Sequence, residues 1–137
     1  MIAIIDYGAG NLSSVKNTLD YLKADSKITD KPEEIINADR IILPGDGSFG
    51  YMMKNLQKNN LIVPIKKFIE TKKPFLGICL GLQALFETSE ESPGAKGLCI
   101  FKGRVVKFRE GKVPQIGWNE IMPKKNGIFR VGYVYFV

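Results

Sequence analysis

The run Pro74-Phe-Leu-Gly-Ile-Cys-Leu-Gly-Leu-Gln83 constrains the fold more than any other stretch of this chain. It reads as a short buried strand that turns sharply into a helix. Such an elbow holds the residue at its turn, Cys79, out at a helix N-terminus. Gly77 and Gly81 flank the turn, where crowding favours small residues. The free amides and partial positive charge of a helix start favour a thiolate and stabilise negative charge developing beside it. Cys79 is therefore a candidate nucleophile; a core cysteine beside a tight turn is the alternative. A cysteine nucleophile ordinarily works with an imidazole base, and the chain contains no histidine. Half of an active site is legible, and the other half needs an explanation.

Length and composition bound the rest. With 137 residues, 45% hydrophobic and 25% charged, the chain is long enough for one domain, 1–137, with a core of its own. The net charge of +6 is modest. Its lysines lie in scattered pairs, Lys66-Lys67, Lys72-Lys73 and Lys124-Lys125, not in a basic stripe. A solvated surface explains them, and no nucleic-acid module is suggested. Two cysteines make no disulfide framework. No cluster of metal ligands is visible, so neither metal nor cofactor is expected. No apolar run approaches the roughly 20 residues that span a bilayer, and no leader pattern is seen. A cytoplasmic protein without a membrane partner is expected.

Strands and helices alternate along the first ninety residues. Ile2 to Asp6 is apolar, as a strand buried on both faces is. Leu12, Val15, Leu19 and Leu22 then mark an amphipathic helix. Ser26 to Thr29 is a weak strand, Pro32 to Asn37 a short helical piece, and Arg40 to Leu43 a third strand. Residues 51–59 and 60–71 form two helices broken near Asn59-Asn60. Phe75 to Ile78 is the fourth strand, and the helix after Cys79 is expected to reach about Glu87. Beyond residue 95 come extra β-runs, Gly103 to Phe108, Gly117 to Ile121 and Tyr133 to Val137, with antiparallel pairing expected. The pattern predicts an α/β fold of three layers, a mostly parallel sheet flanked by helices, flavodoxin-like.

Parallel strands bring their C-terminal ends to one sheet edge, where ligands bind. The strands ending at residues 43 and 78 should therefore share a cleft. Pro44-Gly-Asp-Gly-Ser-Phe-Gly50 follows the first of them with three glycines. Either Gly45 or Asp46 can aim a backbone amide at a carbonyl held near Cys79, beside the amide of Leu80. The Asp46 carboxylate would repel an oxyanion, so its backbone is the better candidate. A plain flexible turn is the alternative. Gln83, Glu87 and Gly47 are the candidate substrate contacts, and Glu87 could equally orient Gln83 or merely solvate its helix. Cys99 lies in an apolar run and reads as core. Tyr7-Gly-Ala-Gly-Asn11 resembles a dinucleotide-binding turn only weakly, because Leu12-Ser13 departs from that pattern.

The elbow Gly77-Ile-Cys-Leu-Gly-Leu-Gln83 resembles the nucleophile motif of class I glutamine amidotransferases. Further stretches resemble one branch, the glutaminase subunits of imidazole glycerol phosphate synthase. They are Ile5-Asp-Tyr-Gly-Ala-Gly-Asn-Leu12, Leu43-Pro-Gly-Asp-Gly-Ser-Phe-Gly50, Phe86-Glu-Thr-Ser-Glu-Glu91, Gly103-Arg-Val-Val106 and Val113-Pro-Gln-Ile-Gly-Trp-Asn119. The resemblance implies that Cys79 attacks the carboxamide carbon of L-glutamine and releases ammonia. Water would then hydrolyse the glutamyl thioester. Leu80 and an amide from the Gly45-Asp46 loop would hold the oxyanion, and Gln83 the amino-acid end of the substrate. Gly45 is the residue whose backbone rotates in the family. The resemblance also implies a heterodimer with a (β/α)8 synthase subunit. That partner would receive the ammonia to make imidazole glycerol phosphate and an aminoimidazole carboxamide ribotide in histidine biosynthesis. Asn11, Trp118, Asn119 and Tyr135 would lie towards it.

Gln115 stands where the family usually carries a histidine that is not the catalytic base. That departure leaves room for a related subunit supplying ammonia to a surface-polysaccharide sugar. Asp46 replaces a more usual apolar residue of the oxyanion loop. The family's catalytic histidine and its glutamate fall in a C-terminal third that would follow Tyr135-Phe-Val137. The 137 residues alone are accordingly expected to keep the elbow thiol but turn over poorly, since losing a general base costs about 10²–10⁴-fold. A non-catalytic scaffold, or another elbow-cysteine α/β protein, are the competing classes.

Overall fold

The computed structural model describes residues 1–124, 127 and 129–137; Lys125 of the Lys124-Lys125 pair lies outside them. Two compact units divide the chain, residues 1–106 and 107–137. The first holds a four-stranded parallel sheet of β1 (Ile2–Ile5), β2 (Ser26–Thr29), β3 (Arg40–Leu43) and β4 (Phe75–Gly77). Their order is β2-β1-β3-β4, as in a doubly wound sheet. The pleat sorts its side chains between two faces. Ala3, Ile5, Ile41 and Leu43 join one buried cluster, whereas Ile4 and Ile42 join another.

The first cluster is covered by α2 (Pro32–Asn37), α3 (Phe49–Lys58) and α4 (Ile62–Glu70), through Ile35, Met52, Leu56, Ile65 and Phe68. The second is covered by α1 (Leu12–Tyr21), through Leu12, Val15 and Leu19. Helix, sheet and helix make the expected three layers. Local chemistry sets the helix ends. Asn11 caps α1 by accepting from the Ser14 amide at 3.1 Å. Pro32 opens α2, with Glu33 and Glu34 in its first turn. The break between α3 and α4 is a left-handed turn at Asn60, φ 56°. There the Leu61 amide returns to the Leu56 carbonyl at 2.9 Å, and the Asn60 amide to Gln57 at 3.1 Å.

Three expectations are corrected. The helix after Cys79, α5, spans only Leu80–Gln83. Its continuation is stopped because neighbouring backbone takes its carbonyls: Leu98 donates to Ala84 at 2.7 Å and Ile100 to Leu85 at 2.8 Å. The run at Gly103 to Phe108 contributes only β6 (Arg104–Val105), and it pairs parallel, not antiparallel, with β5 (Thr88–Ser89). Cys99 is exposed. Its neighbour Leu98 is the fully buried residue of that segment, and Cys99 turns outward at φ 54° with its amide on the Phe86 carbonyl.

In the second unit, β7 (Gly117–Ile121) and β8 (Gly132–Phe136) form the expected antiparallel pair, with Trp118 opposite Tyr135. Those two rings meet edge to face, 5.5 Å between centroids. Among the described residues, no helix is long and apolar enough to cross a membrane.

Two outcomes test this packing. A Cβ at Gly81 would sit 1.9 Å from the Leu43 carbonyl oxygen, whereas one at Gly132 would meet nothing within 4 Å. Gly81→Ala should therefore lower the unfolding free energy by about 3 kcal/mol, and Gly132→Ala by less than about 0.5 kcal/mol, in urea titrations. Glu34 accepts from Lys27 at 2.7 Å and Thr29 at 2.6 Å, which holds its carboxyl below the ordinary range. The stability this supplies is complete above the ordinary glutamate value of about 4.3 and is lost as pH falls through the lowered folded value. Glu34→Gln should flatten the acid limb of a stability–pH curve and leave its neutral shape unchanged.

Candidate active site

Three loops meet at the C-terminal edge of the parallel sheet. They follow β1 (residues 6–11), β3 (44–48) and β4 (the elbow). Cys79 stands at the elbow with φ 52° and ψ −116°, a conformation that an L-residue adopts only under strain. Its thiol is exposed. The Ile78 amide ahead of it donates to the Leu43 carbonyl at 3.0 Å, and the Gly81 amide behind it returns to the Ile78 carbonyl at 2.9 Å. Cys79 is thus pushed outward from a backbone held on both sides. The Leu80 amide, at the start of α5, has no partner among the described residues.

The glycine loop lies directly against this elbow. A Cβ at Gly45 would fall 2.4 Å from the Gly81 nitrogen and 2.5 Å from the Leu80 Cβ. Only a glycine lets the two backbones approach so closely. Gly77, on the far side of the turn, is under the same constraint, 2.6 Å from the Leu82 nitrogen. Of the predicted oxyanion residues, Leu80 and Gly45 are therefore brought together beside Cys79, and Asp46 follows Gly45 in the same loop.

Their amides differ in availability. The Gly45 amide has no partner among the described residues. The Asp46 amide donates to the Tyr7 hydroxyl at 3.1 Å. The Gly47 amide donates to the Asp46 carboxylate at 2.8 Å, so that carboxylate is occupied within its own loop. Tyr7 was no candidate in the sequence. It is fully buried, and burial pushes its hydroxyl above the ordinary phenol value; the Asp46 backbone bond acts against this, while the nearby Asp46 and Cys79 add to it. Two further residues escaped sequence reading. Glu91 accepts the Phe49 amide at 2.8 Å and Ser92 the Gly50 amide at 2.9 Å, and together they cap α3 where the loop ends. The acidic pair Glu90-Glu91 followed by Ser92 was the signal, but nothing in its spacing names α3 as the target.

Gln83 is half-buried at the end of α5, its amide on the Cys79 carbonyl at 3.1 Å. Glu87 is exposed and accepts the Gly103 amide at 2.9 Å, fastening the turn before β6. The candidate interface residues divide between the units. Asn11 caps α1, whereas Trp118, Asn119 and Tyr135 lie on the β7–β8 pair. Gln115 donates to the Asn119 side chain at 3.2 Å.

The glutamine amidotransferase class-I family profile matches residues 3–132. The chain is 50% identical over 143 residues to the imidazole glycerol phosphate synthase subunit HisH of Caldanaerobacter subterraneus subsp. tengcongensis, covering 100% of this chain and 70% of that protein. It is 48% identical over 145 residues to the subunit of the same name from Pyrococcus furiosus, covering 99% and 69%. The Methanocaldococcus jannaschii subunit is 48% identical over 143 residues, covering 100% and 71%. A solved structure described as a glutamine amidotransferase superposes with a TM-score of 0.79 at 17% identity, covering 100% of this chain and 71% of that one, and so shares the fold.

Strain at Cys79 has a measurable consequence. Cys79→Gly should raise the unfolding free energy by about 1 kcal/mol, because glycine adopts φ 52° freely. Calorimetry on the two proteins reads this directly, and an unchanged or lowered stability would contradict a strained elbow.

Proposed function

The chain belongs to the class-I glutamine amidotransferase family, and from that premise we propose that it is the glutaminase part of an imidazole glycerol phosphate synthase. One observation carries the reading: an exposed, strained Cys79 at a strand–helix elbow, with a glycine loop pressed on the backbone just behind it. In this reading the Cys79 thiolate attacks the carboxamide carbon of glutamine. The carbonyl oxygen takes up the charge and is met by the Leu80 amide and an amide of the 45–46 loop. Collapse of that intermediate expels the nitrogen as ammonia, and water then cleaves the glutamyl thioester. None of the 137 residues is a histidine, so proton transfer to the leaving nitrogen is the step for which these residues supply no imidazole.

Gln83 and Gly47 border the elbow and the loop and are the proposed substrate contacts. Glu87, engaged by Gly103, is placed with them only through its turn. We take residues 1–137 as one amidotransferase domain of a cytoplasmic enzyme. Its partner in this reading is a (β/α)8 synthase subunit, bound as a heterodimer, which consumes the ammonia in histidine biosynthesis. Trp118 and Tyr135 suit such a contact: they are paired aromatic rings, both exposed.

The test uses two exposed thiols in one molecule. A diazo-ketone analogue of glutamine should label Cys79 at least about tenfold faster than Cys99, read by peptide mass spectrometry, because in this reading the Leu80 amide and an amide of the 45–46 loop serve as oxyanion donors beside Cys79. Equal labelling of the two cysteines would defeat the glutaminase reading.

A further inference from the structure

We propose that the groove between α3 and the segment 94–96 binds a small organic anion: the Lys54 and Lys96 ammonium groups take its charged head, and Met53, Ile62 and Ala95 carry its apolar body. The groove has a volume of about 380 Å³. Sites for small ligands occupy about 300–1,000 Å³. None of its lining residues belongs to the three loops around Cys79, so it is a second site and not an extension of the first.

The helix period builds one wall. Gly50, Met53, Lys54 and Gln57 fall at i, i+3, i+4 and i+7, so they form one stripe along α3. The stripe runs beside the face that α3 turns to the core through Phe49, Met52 and Leu56, and Met53 belongs to both. Gly50 lets the opposite wall come near, since a Cβ there would be 3.1 Å from the Ser92 Cβ and Oγ. That opposite wall is fastened. The Ser92 hydroxyl accepts the Gly50 amide at 2.9 Å, and the Ala95 amide returns to the Ser92 carbonyl at 3.0 Å. Lys96 pairs with Thr88 in an antiparallel bridge, and the Gly97 amide donates to the Glu87 carbonyl at 2.8 Å. Both walls are set before a ligand arrives, which spares the cost of ordering them.

The charge in the groove has one sign. Lys54 and Lys96 are exposed, and neither ammonium has an ion pair or hydrogen bond among the described residues. No carboxylate is found among its described lining residues. Glu91, beside Ser92, commits its carboxylate to the Phe49 amide. A cleft lined by one sign of charge on apolar walls concentrates ions of the other sign. Two ammonium groups without counter-charge suit a doubly charged head such as a phosphate monoester, which Lys binds as a point charge. The Gln57 side-chain amide adds a neutral donor on the same wall.

The experiment titrates the isotope-labelled protein with phenyl phosphate, a doubly charged head on an apolar ring, and follows backbone amide shifts by NMR. The Lys54, Gln57, Ala95 and Lys96 amides should shift together and saturate with a Kd of about 1 mM or tighter. Inorganic phosphate has the head without the body, and phenol the body without the head. Each should bind at least about fivefold more weakly than phenyl phosphate. Lys54→Gln and Lys96→Gln should each raise the Kd for phenyl phosphate about fivefold, the effect of one exposed ion pair. Lys67→Gln removes the same charge from α4 outside the groove and should leave the Kd unchanged. Shifts that do not saturate, or that saturate at other amides, overturn the site. Inorganic phosphate or phenol binding as tightly as phenyl phosphate overturns the assigned ligand. An equal loss in Lys67→Gln reduces the binding to net charge and overturns the role of Lys54 and Lys96.

Discussion

The carbonyl of Leu43 is where the two halves of the site are joined. It accepts the Ile78 amide at 3.0 Å, one residue before Cys79. Gly81 lies over the same carbonyl so closely that a Cβ there would fall 1.9 Å from its oxygen. Gly45, two residues on from Leu43, lies in turn against Leu80 and Gly81. No side chain separates these backbones, so the loop after β3 and the elbow after β4 cannot shift independently. Parallel pairing of β3 with β4 makes the meeting possible, because it brings both C-terminal ends to one edge.

That contact also explains how strain at Cys79 survives. A residue at φ 52° and ψ −116° relaxes unless its neighbours are held. Here Ile78 and Gly81 are bonded on either side, and Leu80, Ala84 and Leu85 are buried in the main core. The core therefore sustains an unfavourable backbone at Cys79, the exposed cysteine of the elbow. The loop opposite is treated differently. Its ends are fastened by packing and by the Glu91 and Ser92 caps, while its middle is held by one buried hydroxyl.

Much of this was legible in order along the chain. Apolar runs of four residues in β1 and three in β3 marked the buried strands, and the three-to-four spacing of Leu12, Val15 and Leu19 marked α1. Glycines at 77 and 81 mark the elbow in the sequence itself. Two readings failed for the same reason. The helix after Cys79 has the composition to continue, but residues 98–100 take the carbonyls it would need. Cys99 has apolar neighbours, but the same pairing buries Leu98 and turns Cys99 outward. In both cases a partner about fifteen positions away overrode local preference, as tertiary context does.

Local chemistry thus settles the alternation of elements, the placing of a cysteine at a tight strand–helix turn, and the need for glycine around it. Those features follow from side-chain period, backbone freedom and the crowding of a sharp bend, all of which neighbouring residues carry. Which amides remain free at the site is settled elsewhere. The Tyr7 bond to Asp46 joins residues 39 apart, and the Glu91 bond to Phe49 joins residues 42 apart. Such pairings leave no period or spacing behind them, because they exist only once the parallel sheet has brought its loops to a common edge.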